Sequence, residues 1–417
     1  MFQVLSGAWA LLLGMMLLQV GNGMQGTLLG IRGALEGFST LEMSIVMSSY
    51  FLGFLFGSRL APEMIRRVGH VRVFAALGSM ISAVLILYPT VTEPWAWSVG
   101  RVLIGFCFSG VYVTAESWLN NSASNETRGK ALSLYMMVQM VGIVSAQGIM
   151  VLADPSGYVL FVIPSVLVSL AFAPILLSVS PTPAFDTTKP LSLRQIMKIS
   201  PLGCVGMLLT GGVFAAQFGM AAVYGAEAGL SVGEISTFVA SFYVAAVVAQ
   251  YPLGWLSDRM DRRKLIAAVS LVTGLGGVVG MMLGDNFWFL LLAAVLVGGS
   301  SNPLYSLLIA YTNDFLDHDD MAAAAGGMVF INGLGAIAGP LMVGWMMGAI
   351  GPGGYFLYIA ILMFAMVAYA IYRMTQRAAP TVAQTESYMP VSPSSSPMAV
   401  EFAQEVAIES AQDENQG

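Results

Sequence analysis

Charge is the scarcest thing in this sequence. Only 10% of its 417 residues are Asp, Glu, Lys or Arg, against about a quarter in soluble globular domains. Hydrophobic residues make up 57% and the mean hydropathy is +0.77, a composition that excludes a soluble core and gives no surface for nucleic acid. Histidine is nearly absent: His70 and His318 both fall in polar loops, too few for a metal centre or a catalytic triad. The two cysteines, Cys107 and Cys204, sit singly in separate apolar stretches, so neither a disulfide framework nor a zinc site is expected. There is no P-loop, and Gly333-x-Gly335-x-x-x-Gly339 has the wrong spacing for a dinucleotide loop and lies inside an apolar run. These absences point away from an enzyme and predict no cofactor and no bound metal.

What is abundant is apolar length. A bilayer-spanning helix needs roughly 20 mostly apolar residues, and twelve such segments recur from the first residues to about Thr375. They are continuously apolar, whereas barrel strands would be stretches of about 10 residues alternating polar and apolar. The opening MFQVLSGAWALLLGMMLLQV lacks a basic leader region and reads as the first span. The expected fold class is all-α: a membrane protein of twelve transmembrane helices in two pseudo-symmetric six-helix bundles. The boundaries are an N-terminal bundle over 1–178, a linker over 179–200 rich in Pro, Ser and Thr, a C-terminal bundle over 201–377, and an acidic tail over 378–417. The tail holds six of the 23 acids and no Lys or Arg after Arg377. Its Pro-, Ser-, Gln- and Glu-rich composition predicts disorder.

The bases set orientation, because Lys and Arg collect in cytoplasmic loops. Of 17 Lys and Arg, 14 lie in five segments at alternate helix ends, which predicts a plasma-membrane protein with both termini in the cytoplasm. The sequons at Asn120 and Asn125 then face the cytoplasm and would not be glycosylated. The exceptions are Arg32, Arg59 and Arg101. Arg32 would screen entering anions or snorkel to the interface; Arg59 would snorkel. Laid over one another, the halves align Arg66-Arg67 with Asp258-Arg259 and Trp95 with Phe287. Two six-helix repeats joined by a linker are a transporter plan with solute bound near the midplane.

The most polar stretch between apolar segments, GWLSDRMDRRK from Gly254 to Lys264, resembles the loop signature G-x-L-x-D-R-x-G-R-R of the major facilitator superfamily of secondary transporters. Gly254, Leu256, Asp258, Arg259, Arg262 and Arg263 match, and Asp261 replaces a glycine. The first-half copy is eroded, with Pro62 at the first glycine and Arg66 at the aspartate, while Gly69 and Arg72 survive. Arg101-x-x-x-Gly105 is similar to the family's fourth-helix arginine and glycine. The resemblance extends to a branch of small bacterial permeases through ESWLNNSASNETRGKALSLYMM, Glu116 to Met137, and covers residues 1 to about 377. The antiport signature G-x-x-x-G-P-x-x-G-G is missing from the fifth helix, which reads GIVSAQG. The resemblance implies an inner-membrane permease.

Physically, Gly254 is expected to let the eighth and ninth helices approach, Asp258 to accept from free N–H groups at a helix N-terminus, and the bases to anchor the loop. Together Gly254, Asp258, Arg259, Arg262 and Arg263, with Gly69 and Arg72, are read as a conformational latch. Arg101 is the leading solute-site candidate, since an intramembrane charge costs at least ~2.5 kcal/mol and faces a cavity or a partner. The alternative is that it bonds backbone carbonyls. Glu116, about 22 Å along the same helix and rotated about 60°, is read as a partner of Arg72 or Arg67, or as a proton-coupling carboxylate. Gln217 with Tyr224 and Tyr243 with Gln250 share the seven-residue spacing that places each pair on one helix face. Asn22, Gln25, Gln139, Asn302, Tyr305 and Asn332, with Gln147, complete an uncharged polar cavity, though each alone is as readily a helix–helix hydrogen bond. The expected function is transport of a small organic solute by alternating access. Drug or metabolite efflux, suited to a Met-rich aromatic chain, and a transport-inactive solute sensor signalling through its tail are the other readings. The expected partners are the small-molecule solute, the lipid bilayer and protons as a candidate coupling ion; a monomer is the expected state.

Overall fold

The computed structural model describes residues 2–123, 125–177, 191–378, 385 and 387–416. Six helices precede the linker: α1 (Phe2–Leu35), α2 (Thr40–Val68), α3 (His70–Leu87), α4 (Pro94–Ser122), α5 (Asn125–Ile149) and α6 (Val159–Leu177). A short α7 (Leu193–Ile199) leads into α8 (Pro201–Ala215) and α9 (Ala221–Glu227), which form one span joined by a π turn at Ala216–Met220. The second bundle continues with α10 (Val232–Ser257), α11 (Arg262–Leu283), α12 (Phe287–Asn313), α13 (His318–Ile350) and α14 (Gly354–Gln376). Ten of these spans are long and apolar enough to cross a membrane by themselves. The long α1 and the α6 segment, interrupted by Pro164 and Pro174, complete two sets of six. The first part of the linker, 179–190, lies outside the described residues.

The repeat is visible in the caps. Gly37, at φ 78°, turns the chain into Ser39, whose side chain caps α2 in a reciprocal box with Glu42. Gly229, at φ 74°, Ser231 and Glu234 do the same for α10. Positive φ favours glycine because it has no Cβ, and the box satisfies two free donors at once. Packing repeats as well: α1 lies against α5 and α6, and α2 against α4, while α8 lies against α13 and α14, and α10 against α12.

The two bundles meet at the end opposite the basic loops. There α1 packs on α9 and α2 on α13. Ser48 donates to the Ile337 carbonyl at 2.6 Å, and Thr40 donates to Glu227 at 3.2 Å. Towards the basic end the tail lies between the bundles, beside a direct contact of Arg59 on α2 with Phe330 on α13. The predicted disorder of the tail is corrected over its described part: Pro397–Gln416 forms α15, packed on α4, α5 and α13. Val391, Ser396, Ala399, Val400, Phe402, Ala403 and Val406 are buried. The tail alone has too little apolar surface to fold, but the bundles supply the opposing wall.

Candidate functional site

The site begins with a backbone contact. Gly105 on α4 lies so close to α2 that a Cβ there would stand 1.9 Å from the Tyr50 carbonyl oxygen, and Gly53 meets the Val102 carbonyl in the same way. This close crossing puts Arg101, one turn before Gly105, beneath the Tyr50 ring, with its guanidinium carbon 4.6 Å from the ring centroid. Arg101 is 0% exposed. It donates to Gln25 Oε1 at 2.8 Å and to the Met47 sulfur at 3.5 Å, and its Nε has no hydrogen-bond partner. No carboxylate among the described residues forms an ion pair with it. Both bonds go to side chains, not to the backbone carbonyls of the alternative reading.

From Arg101 a chain of amides and phenols runs through the N-terminal bundle. Gln25 donates to Asn22 at 3.0 Å, Asn22 to Tyr112 at 2.9 Å, Tyr112 to Gln19 at 2.6 Å and Gln19 to Gln139 at 2.8 Å. Gln147 accepts from Thr27 at 3.0 Å. Intramembrane hydrogen bonds average about 0.6 kcal/mol each, so this chain orients the side chains more than it holds the bundle. Gln19 is the member that sequence reading missed; its spacing of three from Asn22 was the available signal.

The second bundle holds a smaller cluster. Gln217 donates to Ser301 at 2.6 Å, and Asn302 donates to Gln217 at 3.1 Å. The face shared by Gln217 and Tyr224 is corrected: the π turn inserts an extra residue per turn between them. Tyr224 stacks on Tyr355 at 5.1 Å in an aromatic group with Phe238 and Phe356. Tyr243 is buried, and the Tyr305 hydroxyl is buried without a partner. Asn332 donates to the Met207 carbonyl at 3.2 Å and lines the central space with Phe51, Phe54, Phe214 and Phe218. Gln250 donates to the hydroxyl of Tyr388, in the tail, at 2.8 Å.

The loop after α10 holds the tail. Gly254 does not serve an approach of α11: a Cβ on it would stand 2.7 Å from the Tyr388 ring. Asp258 accepts from the Tyr388 backbone N–H at 2.8 Å and pairs with Arg262 at 3.3 Å. Arg262 is buried, bonded to Ser257, the Ala310 carbonyl and Asp314. Arg263 pairs with Asp261 at 2.8 Å and bonds the Arg377 carbonyl, while Arg259 stacks on Trp255 at 4.5 Å. Asp261 caps α11 through the Arg263 N–H. Burial pushes the Asp261 carboxyl up, but the side-chain and backbone hydrogen bonds from Arg263 outweigh it and hold the group below its ordinary value. In the first-half loop Gly69 turns the chain at φ 85°, Arg72 is exposed, and Arg66 and Arg67 pair with Glu63 at the surface. This asymmetry gives a prediction. Asp314→Ala removes the buried carboxylate from Arg262 and leaves it Asp258, Ser257 and the Ala310 carbonyl; it should cost about 2 kcal/mol, seen as a lowered melting temperature, whereas Arg66→Asp should leave it unchanged.

Glu116 is buried, and its expected pairing with Arg72 or Arg67 is corrected. It accepts from Tyr135 at 3.1 Å and from the backbone N–H and hydroxyl of Ser396 in the tail. Arg32 pairs with Glu36 at 2.6 Å, and Arg59 stacks on Phe330 of the second bundle at 4.1 Å.

Comparison with known proteins agrees with this architecture. The sequence profile described as Major Facilitator Superfamily matches residues 11–226 and 202–405. The MFS-type transporter YcaD of Salmonella arizonae is 25% identical over 358 residues, 85% of this chain and 92% of that one. An MFS-type transporter of Yersinia pestis is 26% identical over the same shares. Among solved structures, the nucleoside transporter NupG superposes with a TM-score of 0.70 at 13% identity, covering 90% of this chain and 99% of that chain. A mutant of NupG gives 0.73 at 13% identity, covering 87% and 98%. This chain, a multi-pass membrane protein, belongs to the Major Facilitator Superfamily.

Proposed function

We propose that the protein is a secondary transporter of a small organic solute, working by alternating access with its basic loops and both termini in the cytoplasm. The observation that carries the reading is Arg101: a buried guanidinium with only neutral partners, set under the seam where the bundles meet. Such a charge normally marks a solute or ion path. Met47, its sulfur partner, packs against Gly219 of the second bundle. Parting of the bundles at that end would therefore uncover Arg101, Gln25 and Tyr50 together. A solute bearing a carboxylate, phosphate or other strong acceptor is the chemistry this donor set suits. The domain boundaries proposed are those of the two bundles, 1–178 and 201–377.

A ligand-stabilisation screen against sugars, amino acids, organic acids and drugs tests the reading, because a ligand stabilises the state it binds. A hit should raise the melting temperature of the native chain, lose that effect in Arg101→Gln, and cross vesicles carrying the protein. A hit that binds without flux would instead indicate a sensor. For coupling, Glu116 is the proposed carboxylate. Flux through Glu116→Gln should no longer respond to an imposed pH gradient, and an unchanged response removes it from that role.

A further inference from the structure

The tail is seated where a solute would travel. The Pro390–Pro393 stretch enters between the bundles, and Pro393 with Ser394 closes the basic side of the aromatic space lined by Phe51, Phe54, Phe214 and Phe218. What remains there is about 30 Å³, room for one water. The adjoining space between Met136, Gln250, Asn302 and Pro390 is about 170 Å³, still below the roughly 300 Å³ at which small-molecule pockets begin. Neither holds an organic solute while the tail is in place.

The contacts are specific and join both bundles. On the second bundle, Asp258 accepts from the Tyr388 N–H, and Ser306 exchanges two 2.9 Å hydrogen bonds with the Val391 backbone. On the first, Ser396 donates to Glu116, and Glu405 pairs with Arg128 at 3.3 Å. Between them α15 buries Ala399, Phe402, Ala403 and Val406, a stripe at helical spacing, and the Val406 side chain comes up to Gly129. Closing the basic end needs the space this helix fills, so the docked tail and the alternative state exclude one another. The short connection after α14 gives the tail a high effective concentration at its groove.

Resting on the transporter reading above, we propose that residues 388–407 are a tethered plug: they occupy the solute cavity and its basic-side mouth, and hold the bundles in the state closed at the opposite end until displaced. The groove is a peptide-binding surface whose occupant is this chain's own tail.

Thiol labelling tests the plug without knowledge of the solute. Ala336, on α13, lines the central space. In the full chain carrying Ala336→Cys, Cys107→Ala and Cys204→Ala, a sulfonated maleimide should react slowly. The paired changes Tyr388→Ala and Ser396→Asp, the second placing a charge against Glu116, should speed the reaction at least tenfold. A chain ended at Arg377 should match them, and a synthetic peptide of residues 387–407 should slow it again. Labelling within twofold of the intact chain in the Tyr388→Ala/Ser396→Asp protein would overturn the plug. That result would leave the transporter reading standing, since solute binding and flux are measured separately.

Discussion

Arg101→Gln is expected to reduce solute flux at least 30-fold while the protein remains folded and abundant in the membrane. Truncating one partner of a buried charged hydrogen bond costs about 2–5 kcal/mol of binding, and the lower bound corresponds to that factor. Stability should move the other way, if at all. The guanidinium has no carboxylate in an ion pair with it, and its removal relieves a desolvated charge of its cost. A melting temperature equal to or above that of the native chain, alongside lost flux, separates a solute-binding role from a structural one. Arg101→Lys should not rescue flux, because an ammonium cannot reproduce the planar fork over Tyr50 and Gln25. Retained flux in either variant would place the binding residues elsewhere.

The largest effect on folding is expected at Gly105. A methyl group there would overlap the Tyr50 carbonyl, which is helix backbone and cannot rotate away. Gly105→Ala should therefore cost at or above the roughly 1–3 kcal/mol usual for overpacking. Because the same crossing sets the guanidinium under the Tyr50 ring, a surviving fraction should also bind solute poorly. Gly148→Ala, on α5, is the control: a Cβ there meets nothing within 4 Å, so the melting temperature should stay put. Thermal melts in detergent, read by loss of the monodisperse peak, distinguish the two. Equal melting temperatures for both variants would mean that α2 and α4 separate readily.

Much of this was legible in the residues. Twelve apolar runs, the turn before Ser39 and its echo before Ser231, and a lone arginine among polar neighbours all have local signals. So did Asp258, whose acceptor role was foreseen from the motif though not its donor. The tail was misread because a compositional argument asks whether a segment can bury its own surface. Ala399, Phe402, Ala403 and Val406 are too few for a core and enough to fill a groove made by others. The pairing of Glu116 with Arg72 or Arg67 fails for the same reason: its partner, Ser396, lies 280 residues away in a segment whose composition predicts disorder. The π turn at Ala216–Met220 carries no periodic signature, so the seven-residue rule placed Tyr224 on the wrong face. Gly254 reads as a helix-packing glycine in any sequence, and only the fold puts the Tyr388 ring against it.

Alternating access itself is tested most directly by two distances measured in the same molecules. Spin labels at Thr40 and Glu227 span the end where the bundles touch, their side chains now hydrogen-bonded at 3.2 Å. Labels at Arg66 and Lys264, both exposed, span the basic end. In the intact chain the first pair should be short and the second long. Releasing the tail by Tyr388→Ala and Ser396→Asp should populate molecules in which the first pair lengthens as the second shortens. Two distributions that stay fixed, or that lengthen together, would contradict a rocking transporter.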